Sequence, residues 1–115
     1  MYLCKLIINY YKITMVYLIA YNINEGLYDY TGLKEYIKSL GSFQHPMNDI
    51  WFVSSSDLDV EAEIKNLKSH LPNEKDMIIM MPIHSNNRLI GWMPKAFWQW
   101  FKTNLYDQEN TDREI

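Results

Sequence analysis

Cysteine is almost absent. The chain has a single one, Cys4, so it can form no internal disulfide and no Cys-rich zinc site. The thiol reads as a small buried apolar group. Histidine is nearly as scarce. His45, His70 and His84 are far apart and lack the spacing of a helical zinc site. No metal and no cofactor is expected. The four glycines read as separate turns, which excludes a glycine-rich phosphate loop. There is no Gly-x-Ser-x-Gly elbow and no Cys-His nucleophile pair. The eleven Lys and Arg are scattered, and the net charge is -3. A nucleic-acid binder usually carries a basic stripe; nucleic acid is therefore not the expected partner, though it is not excluded. No apolar run reaches the ~18 to 20 residues of a membrane span. A soluble, cytoplasmic protein without membrane contact is the expectation.

What is present is enough apolar residue, 48% of 115, for a core in one compact domain. Asn, Ile, Lys and Tyr together supply 41 residues. Their codons are AT-rich, which points to a bacterial or phage genome.

The chain divides into an N-terminal extension (1–14), a domain (15–105) and a polar, acidic tail (106–115). The extension carries Leu6, Ile7, Ile8 and three tyrosines ahead of Met15, which looks like a natural start. It reads equally as an added strand or as an upstream extension. Its apolar content should pack somewhere, including in an oligomer interface.

Residues 16–23 form a nearly unbroken apolar run rich in β-branched and aromatic side chains, as in a strand covered on both faces. Leu33, Tyr36, Ile37 and Leu40 give one helical face over 30–40, with Asp29 as cap and Gly41 as stop. Residues 42–45 read as an edge strand, since Pro46 cannot donate to a ladder. Residues 49–54 return, with Ile50 and Phe52 on one face and Trp51 and Val53 on the other. Asp59 caps a second helix striped by Val60, Ile64, Leu67 and Leu71. Residues 77–83 read as a buried strand. Pro94 opens a last helix with Phe97, Phe101 and Leu105 on one face.

Strand, helix, strand, strand, helix, strand is the α+β, ferredoxin-like β-α-β-β-α-β sandwich, here with an additional C-terminal helix. Its four-stranded antiparallel sheet has the order four-one-three-two. Two helices cover one face. The other needs a partner, an extra element or water. Trp51 is expected there, which favours a homodimer.

Tyr17-Leu18-Ile19-Ala20-Tyr21-Asn22-Ile23 resembles the opening strand of the small CRISPR-associated nuclease subunit of the spacer-integration complex. With Ile50-Trp51-Phe52-Val53 and Met77-Ile78-Ile79-Met80, the chain is similar to the SinR family, small bacterial and phage relatives of that nuclease. The resemblance covers about residues 15–105. It implies a two-fold dimer and, at the end of the first strand, a metal-binding aspartate. Asn22 stands at that position. An amide oxygen brings no charge to a hard cation, so no metal ligand is assigned and the chain is read as a non-catalytic pseudo-enzyme. Asp29 and Asp49 read more simply as a helix cap and a hairpin residue.

Asn22 and Asn24, at a central strand end, could hold a small polar ligand; the plainer role is bonding the following turn. His45 could be an acid–base group or an idle edge residue. Trp92 lies in the apolar stretch 89–92, placed to add a strand to a partner. Trp100 is the aromatic that helix packing leaves free for a partner.

The leading reading is a dimeric interaction protein, with a protein partner in a defence system and, if phage-borne, an inhibitory role. The alternatives are a metal-dependent nuclease and a small-ligand regulator built around Asn22.

Overall fold

A computed structural model describes residues 15–105; the N-terminal extension and the polar tail lie outside the described residues. The elements are β1 (Met15–Asn22), α1 (Thr31–Ser39), β2 (Ser42–Met47), β3 (Ile50–Ser55), α2 (Val60–Lys68), β4 (Met77–Ile83) and α3 (Lys95–Leu105). The four strands form one antiparallel sheet in the order β2-β3-β1-β4. This is the ferredoxin-like order, with the most apolar strand inside.

The helices start where polar side chains free the backbone from extended structure. The Asp59 carboxylate accepts from Glu61 N at 3.1 Å and Ala62 N at 3.4 Å, capping α2. At α1 the arrangement is displaced by one residue. Asp29 accepts from Thr31 N at 3.0 Å and from Thr31 Oγ1 at 2.7 Å, while Tyr30 holds the cap position itself. Gly32 lies inside α1 rather than at a turn. A Cβ there would stand 3.3 Å from His70 Nδ1, so its absence lets α2's end approach. Gly41 is required for a different reason. A Cβ at that position would fall 2.0 Å from the Ser54 carbonyl oxygen, which only a bare backbone can approach so closely.

Alternation along the strands divides the core in two. Tyr17, Ile19, Tyr21, Trp51, Val53 and Met80 pack under Leu33 and Ile37 of α1 and Leu67 of α2. Val16, Phe52 and Ile83 point the other way and pack under Phe97, Phe101 and Leu105 of α3. Phe52 meets Phe97 and Phe101 edge to face, at centroid distances of 5.1 and 5.4 Å.

Three sequence expectations change. Trp51 lies on the face covered by α1 and α2, not on the opposite one. The extra element that covers part of the opposite face is α3, one of the covers the sequence left open. β4 is not buried on both sides: among the described residues it is an outer strand of the sheet, and its alternate residues reach solvent. β2 also runs through Pro46 to Met47, with a register shift between Gln44 and Met47. An edge strand tolerates the missing N–H.

Candidate functional site

The α3 side of the sheet is only half covered. The register places Ile79, Ala20, Ile50 and Met47 in one row across all four strands. Ala20 and Ile50 are half-buried, while Ile79 is 63% exposed and Met47 48%. Met77 (60%) and Met81 (49%) flank Ile79 on the same side of β4. Every strand residue facing this side is uncharged: Val16, Leu18, Ala20 and Asn22; Ser42, Gln44 and Met47; Ile50, Phe52 and Ser54; Met77, Ile79, Met81 and Ile83. A sheet face meant only for water alternates apolar-in with polar-out. Here apolar residues point to both sides, and the α3 side carries Asn22, Ser42, Gln44 and Ser54 as its only polar strand residues among those described.

The connection from β4 to α3 carries two more exposed apolar residues. Leu89 packs against the α3 cluster, half-buried. Ile90 is exposed, and Trp92 is 100% exposed. The two ends of the stretch differ. One end is tied down and the other projects.

Trp100, expected to be free, is half-buried. Its Nε1 donates to Ser42 Oγ at 2.8 Å, which ties α3 to the start of β2. Its ring meets Phe101 edge to face. Of the two tryptophans singled out, Trp92 is the one left to solvent.

Asn22 ends β1 in register with Met77 and is exposed. Asn24 works through its backbone. Its carbonyl accepts from Leu27 N and Tyr28 N, and its N–H donates to Tyr30 Oη at 3.2 Å. The Tyr30 hydroxyl faces both Asp76 carboxylate oxygens, at 2.7 and 2.8 Å. Burial pushes the Tyr30 hydroxyl's pKa up, and the facing carboxylate adds to the rise. Asp76 Oδ2 also accepts from Asn73 N. These bonds close the loops at one end of the sheet, so Asn24 sits in turn-forming structure, while Asn22 remains the last residue of the strand.

His45 is likewise engaged. Its ring stacks on Trp51, and Nε2 lies 3.1 Å from the Asn48 carbonyl oxygen, which requires the Nε2–H tautomer or the cation. That carbonyl also accepts from Tyr21 Oη, and Tyr21 Oη in turn accepts from Trp51 Nε1 at 2.8 Å. Asp49 stands in the adjacent hairpin turn, its carbonyl accepting from Tyr21 N. Among the described residues, no three His, Cys, Asp or Glu side chains gather as a metal ion would need. No described helix is long and apolar enough to cross a membrane.

Sequence reasoning missed Met47, Met77, Ile79 and Met81. The signal was available. An order of four-one-three-two makes β4 an edge, and an edge strand with apolar residues on both faces leaves one set uncovered. Comparison with protein-family models, curated proteins and solved structures finds no match to the chain.

Proposed function

We propose that this chain is a non-catalytic, dimeric interaction protein that works through the uncharged half of its sheet. The observation that carries this reading is the four-strand row of Ile79, Ala20, Ile50 and Met47, extended by Met77 and Met81. Apolar patches rimmed by polar surface mark contact sites. A two-fold interface sets a patch against its own copy, and an uncharged patch carries no self-repulsion. Trp92 adds a projecting aromatic of the kind that concentrates binding energy. The resemblance of residues 17–23 to the CRISPR-associated nuclease subunit supports a cytoplasmic partner in a defence system; the chain's small size, acidity and AT-rich codon composition support a phage-borne protein that acts as an inhibitor.

Sedimentation of the full chain over a concentration series tests the dimer. The expected result is a dimer that Ile79→Glu converts to a folded monomer. A full-length chain that stays monomeric at every concentration overturns it. For the inhibitory role, expression in a host with an active CRISPR system should raise the plating of a targeted phage. Unchanged plating refutes that part alone.

A further inference from the structure

We propose that two copies of this chain join β4 to β4, antiparallel about a two-fold axis at Ile79, so that their sheets become one. The inference rests on the dimer proposed above and states how that dimer is built.

The two edges of the sheet differ. β2 is interrupted by Pro46 and by a register shift, devices that protect an edge from pairing. β4 has its only proline at position 82, one residue from its end, and no described strand lies on its outer side. A regular edge of this kind is a template for another strand.

Alternation fixes where β4 points its backbone groups. Tyr21 N–H donates to the Asp49 carbonyl, so Tyr21 directs its backbone groups to β3. Successive residues of an antiparallel strand direct theirs to opposite sides. Val16, Leu18, Ala20 and Asn22 therefore face β4, where they pair with Ile83, Met81, Ile79 and Met77. That leaves Ile78, Met80 and Pro82 with backbone groups turned outward. Pro82 fits this assignment, because its missing N–H then takes nothing from the ladder with β1.

The open groups match a second copy of themselves. With the axis at Ile79, Ile78 lies opposite the partner's Met80 and exchanges both backbone bonds with it. Met80 does the same with the partner's Ile78. Both outward N–H groups are thereby satisfied, with their carbonyls. Next in line, Asp76 meets the partner's Pro82. The Asp76 N–H is already bonded to the Asn73 carbonyl at 2.9 Å, and proline has no N–H, so the ladder stops there. Moving the axis to Met80 sets the Ile78 carbonyl against the partner's Pro82. Moving it to Ile78 sets the Met80 carbonyl against the partner's Asp76. Either shift leaves an acceptor without a donor.

The side chains agree with the same register. Ile79 meets the partner's Ile79, and Met77 meets the partner's Met81. On the other face Ile78 meets the partner's Met80. None is charged, so no like charges oppose each other across the axis. The uncharged rows of the two copies also become continuous.

Cysteine cross-linking tests the register. Cys4→Ser removes the only natural thiol. Met77→Cys, Ile79→Cys and Met81→Cys are then introduced one at a time into the full chain. All three positions are substantially exposed, so the fold survives substitution. Each protein is oxidised mildly with oxidised glutathione and read by non-reducing electrophoresis. Residues opposed in a non-hydrogen-bonded pair lie ~4.5 Å apart at Cα, within disulfide reach. Two copies of position 77 lie about 13 Å apart along the strands, as do two copies of position 81. Ile79→Cys should therefore form a covalent dimer on the order of tenfold faster than Met77→Cys or Met81→Cys alone. Mixing and equilibrating the last two should restore rapid cross-linking, between 77 and 81. Self-linking at 77 or 81 as fast as at 79, or a mixture no faster than its components, overturns the proposal. Sedimentation of the same proteins separates the two levels. A dimer that does not cross-link at 79 overturns the edge pairing alone, whereas a monomer at every concentration overturns the dimer with it.

Discussion

His45 lies flat on Trp51, with ring centroids 3.7 Å apart and planes 13° from parallel. The imidazole, with the Phe43 ring 5.4 Å from the indole, closes the side of Trp51 that the core leaves open. The same histidine bonds the hairpin carbonyl that Tyr21 also reaches. An exposed edge residue thus completes the burial of the largest core side chain. His45→Ala should destabilise the fold by about 0.5 to 1.5 kcal/mol, the usual worth of an aromatic pair. Urea unfolding measures it, and a red shift of tryptophan emission in the folded state should accompany it. An unchanged midpoint would show that the stack contributes nothing.

Leu67 is the α2 residue that enters the core, fully buried against the sheet. Leu67→Ala should cost roughly 2 to 5 kcal/mol, the range for truncating a buried leucine. Thermal or urea unfolding reads the difference. A cost under about half a kcal/mol, normal for a surface site, would contradict the packing described.

Stability should fall in alkali. Tyr21, Tyr30 and Tyr36 all have hydroxyl pKa values raised above the ordinary 10, chiefly by burial. Their neutral forms are favoured in the folded state. The contribution is complete below pH 10 and is lost as pH rises from there through the raised values, because the unfolded chain releases its protons first. Urea midpoints measured from pH 7 to 11 should be flat with respect to these groups and then decline above about 10. Tyr21→Phe removes one group from that decline. It also strands the buried Trp51 N–H, which costs about 1 to 3 kcal/mol at neutral pH. A midpoint independent of pH in alkali would contradict the three burials.

The full chain should not cleave RNA or duplex DNA in magnesium or manganese. Asn22, at the end of the first strand, offers an amide oxygen that brings no charge to a hard cation, and the neighbouring Asp49 belongs to the hairpin turn. Cleavage that a chelator abolishes and that Asp49→Ala removes would assign a metal site to this end of the sheet.

Local chemistry made much of this structure readable in the sequence. The apolar run of β1, the three-and-four spacing of Leu33 and Ile37, the Asp59 cap and the Phe97–Phe101–Leu105 stripe each express one element's own periodicity. Their order then implied the sheet. Alternation also separated Trp51 and Val53 from Ile50 and Phe52 correctly. It could not say which set met which helices, because a two-residue period defines two faces without naming their covers. That was decided by the docking of α3 on Phe52, a contact between segments some forty-five residues apart. The same docking bonded Trp100 to Ser42, left Trp92 in solvent, and stopped short of Met77, Ile79 and Met81. A strand that reads as wholly buried and one that is half bare have the same residues. Only the position of α3 over the sheet distinguishes them.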